Sequence, residues 1–153
     1  MKEIWKDIAF TDGKYSVSNL GNVRRNECYT RVKPYNNRTN VINHYKERIL
    51  VPYKSCDNYL VVSLRVKGKS TPFKVHRLVA ETFIPNPDIL PCVNHKDENV
   101  FNNNVNNLEW CDYKYNANYG TRNIRISESM PNKKRVLQLS LNNEPVKVWD
   151  SLT

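Results

Sequence analysis

A chain of 153 residues holds one domain with its own core and a small appendage, which excludes a large multi-lobed enzyme. Its 24 Lys and Arg against 15 Asp and Glu leave a formal net charge of +9. That charge favours a polyanionic partner, nucleic acid first, because each basic side chain that meets a phosphate releases condensed counterions. No apolar run approaches membrane-spanning length and Met1-Lys2-Glu3-Ile4-Trp5 lacks an apolar signal core, so the expected setting is cytoplasmic with no membrane partner.

The first patterned segment is Lys14 to Arg25, where Tyr15-Ser16-Val17-Ser18-Asn19 alternates and breaks at Gly21 before Asn22-Val23-Arg24. It predicts a small hairpin turning near Leu20-Gly21, with Ile4, Trp5 and Ile8 as core residues beside it. Residues 26–47 have no clean period and are expected to be a connection. Arg48 to Pro52 and Tyr59 to Lys67 are rich in β-branched and aromatic residues, and Lys67-Gly68-Lys69 suits a turn into Thr71 to Val75, giving an antiparallel sheet. Leu78, Val79, Phe83 and Ile84 follow His76 and precede Pro85, a pattern for a short helix that Pro85 and Pro87 end.

Val93 to His95 then reads as a strand with Asn107 to Trp110 as its partner, joined by an Asn-rich excursion, and Asp112 is placed to cap a helix carrying Asn116. The predicted unit is ββα, with Leu108 and Trp110 in its core. Residues 120–135 read as a basic linker with little to bury, and Val136 to Leu139 with Val146 to Trp149 as a hairpin around Asn142-Asn143. Cys28, Cys56, Cys92 and Cys111 are too widely spaced for a zinc knuckle, so buried free thiols in a reducing compartment are expected, with no structural zinc.

The residues VNHKDENVFNNNVNNLEW from Val93, followed by Asn116, carry the chemistry. Imidazole and amide oxygen are groups from which a metal-assisted phosphodiesterase is built. This stretch resembles the HNH endonuclease motif of phage and intron-borne homing nucleases. The opening Glu3 to Arg25 resembles the NUMOD4-like module that often precedes that motif, FKVHRLVAETFIPNP from Phe73 resembles its usual lead-in, and the final segment resembles the start of a NUMOD1-like module.

The resemblance implies an α+β fold, with a small antiparallel sheet in the N-terminal part followed by a ββα-metal nuclease unit. It divides the chain into an N-terminal DNA-binding module and connector (residues 1–47), a nuclease domain (48–119, ββα core 91–119), the linker (120–135) and a truncated C-terminal DNA-binding module (136–153). His95 then corresponds to the general base that activates water, Asn94 and Asn116 to ligands of one divalent cation, and Asn107 to the middle Asn that orients the imidazole across the hairpin. Mg2+ is the first choice of cation and Mn2+ the second. Double-stranded DNA is the implied substrate, engaged by Lys14, Tyr15, Ser16, Asn19, Arg24 and Arg25 and by Arg122 and Arg125; the sequence leaves the oligomeric state open, with a monomer favoured over a pair on DNA.

Two positions depart from the family pattern. Asn94 stands where several members carry Asp, and Glu98 replaces a frequent glycine, with Asp97 and Glu98 expected to be structural. His76 is expected to pack or to touch phosphate. The competing expectation is a DNA-binding protein with a degenerate, inactive nuclease fold, for which Asn94 is the supporting feature.

Overall fold

The computed structural model describes residues 2–32, 41–129 and 136–149. Strand β1 (Trp5–Asp7) pairs antiparallel with β2 (Tyr15–Ser18), and β2 with β3 (Val23–Arg25), through the predicted turn. Residues 26–47, expected to be a connection, instead hold a two-stranded hairpin, β4 (Cys28–Val32) with β5 (Val41–Tyr45). The signal there was hidden because the hairpin mixes polar and apolar side chains without a clean period, and Tyr29 and Ile42 are exposed. Short β6 (Arg48–Ile49) then returns to β3 and completes a four-stranded sheet of order β1-β2-β3-β6.

A second antiparallel sheet follows, made of β7 (Tyr53–Lys54), β8 (Leu60–Val66) and β9 (Lys69–Lys74) in that order. Lys67 and Gly68 both adopt positive φ at the β8–β9 turn, the backbone sense that a two-residue hairpin loop requires. Helix α1 (Val75–Phe83) buries Val75, His76, Leu78, Val79 and Ala80. It ends where the Ile84 amide donates to the Ala80 carbonyl, one residue before Pro85 removes the next donor.

Strands β10 (Cys92–His95) and β11 (Leu108–Cys111) pair antiparallel, with Cys92 opposite Cys111 and His95 opposite Leu108. The Trp110 indole donates to the Ile84 carbonyl at 3.0 Å and so fastens β11 to the end of α1. Ile8, Val17, Val23, Val62, Leu64, Leu78, Val79, Val93 and Leu108 belong to a single buried cluster, so both sheets, α1 and the β10–β11 hairpin share one core. Removing a leucine side chain of this kind from water contributes about 2 kcal/mol.

Residues Met1–Tyr113 form one compact unit and Lys114–Thr153 another, so the expected boundary at residue 47 falls inside the first unit rather than between units. The second unit holds most of α2 (Tyr113–Asn118), then α3 (Arg122–Ser129) and the hairpin of β12 (Val136–Leu139) and β13 (Pro145–Trp149). Part of the expected linker is therefore helical, since Arg122 to Ser129 contains neither Gly nor Pro; residues 130–135 and 150–153 lie outside the described residues.

Two core expectations are corrected. Ile4 is 53 % exposed: it precedes the edge strand β1, and its backbone, bonded to Asn19, is what is anchored. All four cysteines are free, yet Cys111 alone is buried, with its thiol pushed up to about 11 chiefly by that burial; Cys56 is exposed and Cys28 and Cys92 are half-buried. No helix among the described residues is long and apolar enough to cross a membrane.

Candidate active site

Because successive side chains of a strand alternate, β10 sends Val93 and His95 to one face of its hairpin and Asn94 to the other. His95 is 5 % exposed. Its Nε2 lies 3.1 Å from Asn103 Oδ1, and the Asn103 amide nitrogen donates to the Phe101 carbonyl, which makes Oδ1 the acceptor. Nε2 therefore carries the proton and Nδ1 the basic lone pair. Burial lowers the His95 pKa, and the Asn103 hydrogen bond and the Asp97 carboxylate oppose that shift.

Two aromatic rings enclose the imidazole. His76, from the first turn of α1, meets it edge-on at 5.1 Å between centroids, and Tyr59 lies 4.6 Å from His76 and 6.2 Å from His95. Lys74 caps the Tyr59 ring at 4.4 Å and pairs with Asp57. His76 is 4 % exposed and its Nδ1 is buried without a hydrogen-bond partner. Burial, with the added repulsion of His95, Lys74 and Arg77, brings its pKa down to about 3. It is a packing residue, as one of its two expected roles had it.

On the opposite face Asn94 is 7 % exposed and its amide nitrogen donates to Glu109 Oε1 at 2.8 Å across the hairpin. The Asn94 carbonyl oxygen and the Glu109 carboxylate are hard oxygen donors of the type a small divalent cation takes, but no group of three or more His, Cys, Asp or Glu that could hold a metal ion occurs among the described residues. Asn116 sits on α2, half-buried, in the other unit.

Asn107 is not bonded to the imidazole. Its Oδ1 accepts from the Asp97 amide at 3.0 Å, and its Nδ2 donates to Asp97 Oδ1 and to the Asn102 carbonyl, both at 2.8 Å. The reason is register: Asn107 stands opposite Lys96, whose amide donates to its carbonyl, so its side chain closes the loop instead of reaching back to His95. Asn102 and the Asn99 amide also donate to Asp97, and Asn104 Oδ1 accepts from the Asn106 amide. The Asn-rich excursion thus satisfies its own backbone, and Glu98 holds φ +57° in the place of the frequent glycine.

The NUMOD4 motif profile matches residues 3–65. The DNA endonuclease I-HmuI of Bacillus phage SP01 is 31% identical over 143 residues, covering 89% of this chain and 72% of that protein. The chain belongs to the HNH homing endonucleases. A solved structure described as DNA binding and cleavage by the HNH homing endonuclease I-HmuI matches with a TM-score of 0.55 and 28% identity, over 97% of this chain and 78% of the other. Two uncharacterized HNH endonucleases of Acanthamoeba polyphaga mimivirus, L245 and L247, are 32% and 31% identical, and the chain spans 38% and 34% of their lengths.

Within this HNH chain, most of the side chains expected to touch DNA from the N-terminal module are used by the fold. Tyr15 is buried with its hydroxyl accepting from the Arg65 amide, Ser16 donates to Asp7 and Asn26, and Asn19 Oδ1 accepts from the Ile4 amide. Arg24 lies 4.5 Å over the Trp5 ring and pairs with Glu47, and Arg25 lies 4.8 Å over Tyr45 and donates to the Lys46 carbonyl. Both arginines leave Nε buried and unpaired. Lys14 stays half-exposed and, with Arg25, Arg65 and Lys67, walls a groove of about 790 Å³ beside the β8–β9 turn. Arg122 and Arg125 are exposed on α3 in the second unit.

Asn103, His76 and Tyr59 were not assigned to the site from sequence. Asn103 is one of six Asn between residues 99 and 107, and nothing in the pattern singles it out. The lead-in containing His76 did carry a signal: a polar residue three and four places before Val79 and Ala80, on the same buried side of α1, needs a burial partner.

Proposed function

We propose that this chain is a metal-dependent DNA endonuclease that hydrolyses phosphodiester bonds of double-stranded DNA with His95 as general base. The observation that carries the reading is the neutral, singly oriented imidazole: Asn103 occupies Nε2, burial disfavours the charged form, and Nδ1 is left to take a proton from water. The resulting hydroxide attacks phosphorus and the 3′ oxygen departs. A bound Mg2+, or Mn2+ in its place, supplies Lewis-acid stabilisation of charge on the phosphate and the leaving oxygen.

Asn94 offers its carbonyl oxygen to the cation, and Asn116 is assigned as the second ligand on the family pattern. The neutral amide at Asn94 binds a cation more weakly than a carboxylate would, so DNA phosphate is expected to complete its hold. Asn107 supports the reaction indirectly by closing the loop that carries Asn103. Lys14, Arg25, Arg65 and Lys67 along the groove, with Arg122 and Arg125, supply contacts to the DNA backbone, and the protein acts as a monomer in the cytoplasm.

The test is cleavage of duplex DNA by the purified protein with Mg2+, Mn2+ or chelator. His95→Ala should retain DNA affinity and lose cleavage, and Asn94→Asp should lower the Mg2+ concentration required. Binding without cleavage by the wild type under every metal would replace this reading with that of an inactive, DNA-binding HNH fold.

A further inference from the structure

The turn between β2 and β3 meets the loop that holds His95. Gly21 has φ +89°, and a methyl group placed on it would stand 2.8 Å from Asn103 Cβ and 3.1 Å from the Asn103 carbonyl oxygen. A glycine is therefore required twice over, by backbone sense and by the closeness of Asn103. One residue pair away, the Val105 amide donates to the Asn19 carbonyl at 2.9 Å. Asn103 is itself 5 % exposed and spends its Oδ1 on His95 Nε2.

The turn on the other side of this contact is rigid. Ser18 Oγ accepts from the Leu20 and Asn22 amides, the Gly21 amide donates to the Ser18 carbonyl, and the Asn19 side chain accepts from the Ile4 amide at 2.7 Å. Behind it lie Val17 and Val23 in the shared core. A fixed surface thus presses on one side of Asn103 while the imidazole occupies its acceptor on the other.

From this we propose that the Asn19–Gly21 turn of the N-terminal module is a positioning element of the nuclease site, which fixes the tautomer and orientation of His95 through Asn103. The proposal rests on His95 being the base, and it gives the N-terminal module a role in the chemical step that is separate from holding DNA. Gly21 touches Asn103 by van der Waals contact and Asn19 ties the same loop through its carbonyl. Displacing Asn103 by an ångström breaks its bond to Nε2 and lets the proton move to Nδ1, the atom that must stay free.

The decisive readout is the nitrogen spectrum of the imidazoles, which is simple because the chain has three histidines. In 15N-labelled wild type, His95 should show one tautomer, protonated at Nε2. Gly21→Ala should give a mixture of tautomers, leave DNA affinity within about twofold, and lower kcat about tenfold or more, as small misplacements of a reacting group do. Val105→Pro is the second variant, for the case in which Gly21→Ala fails to fold. Asn104 has φ −64° and ψ 138°, compatible with a following proline, and Val105 opens a short 3-10 turn, so the change deletes the bond to Asn19 with little strain. It should shift His95 in the same direction.

Asn103→Ala sets the scale, because it removes the last link directly. A single Nε2-protonated His95 in folded Gly21→Ala and Val105→Pro overturns the proposal, as does loss of cleavage with that tautomer intact. If the wild type itself does not cleave DNA, the endonuclease reading falls, while the tautomer spectra still decide whether the turn sets His95.

Discussion

Acidification acts on this fold through its buried imidazoles. His76 stays neutral in the folded chain down to about pH 3, whereas unfolded it titrates at 6.5. Above the unfolded value neither state holds the proton and stability is indifferent to this group. Below it the unfolded chain gains a proton that the folded chain refuses, so stability falls until the folded value is reached. From about pH 8 to about pH 5 the loss from His76 comes to about 2 kcal/mol. His95, also held below its ordinary value by burial, adds in the same direction.

Carboxylates act outside or against this window. Glu3, Asp57 and Asp97 are held below their ordinary values, so their contribution is lost only at more acid pH, and Glu81, raised by partial burial, works in the opposite sense. Urea denaturation followed by tryptophan fluorescence should show a midpoint that is flat near pH 8 and falls once the pH drops through about 6.5 towards 5. His76→Phe keeps a ring against Tyr59 and His95 and removes an unpaired buried nitrogen, so it should cost little at pH 8 and abolish the larger part of the fall. A wild-type midpoint that does not move with pH, or a His76→Phe protein that keeps the full slope, refutes the neutral buried histidine.

Arg24→Ala removes a half-buried cation from Trp5 and Glu47 and should cost about 1 kcal/mol of stability while leaving the salt dependence of DNA binding unchanged, which urea titration and binding at graded salt separate. Arg65→Ala with Lys67→Ala should instead leave stability within about 0.5 kcal/mol and flatten the slope of log affinity against log salt by up to about two. Asn107→Ala removes solvent-exposed bonds to the Asp97 amide and the Asn102 carbonyl and should lower stability by no more than about 1 kcal/mol, with cleavage falling as the loop under Asn103 loosens; an unchanged urea midpoint would show that water replaces those bonds at no cost.

Elements whose signal is local were legible in the sequence. The β2–β3 hairpin announced itself through alternation broken at Gly21, α1 through its apolar face and Pro85, and β10 and β11 through the residues flanking the Asn-rich loop. The β4–β5 hairpin was not, because a strand pair with little to bury leaves no apolar period to read. The same limit acted at the site. His95 and Asn94 stood out by motif, but the partner of Nε2 depends on which of many asparagines the loop turns inward, a matter of register and packing against the β2–β3 turn. Charge did not reveal the surroundings of Arg24 and Arg25, which depend on Trp5, Glu47 and Tyr45, neighbours remote in sequence.

The stretch that matches the NUMOD4 motif stops at residue 65, one residue before the end of β8, and β8 is hydrogen-bonded along its length to β9 beyond it. The recognisable motif is thus shorter than the unit that folds. A recombination event that transferred the motif alone would deliver a sheet with a raw edge and half a hydrophobic interior, so an inherited unit able to survive such a transfer has to reach at least through the hairpin of His95.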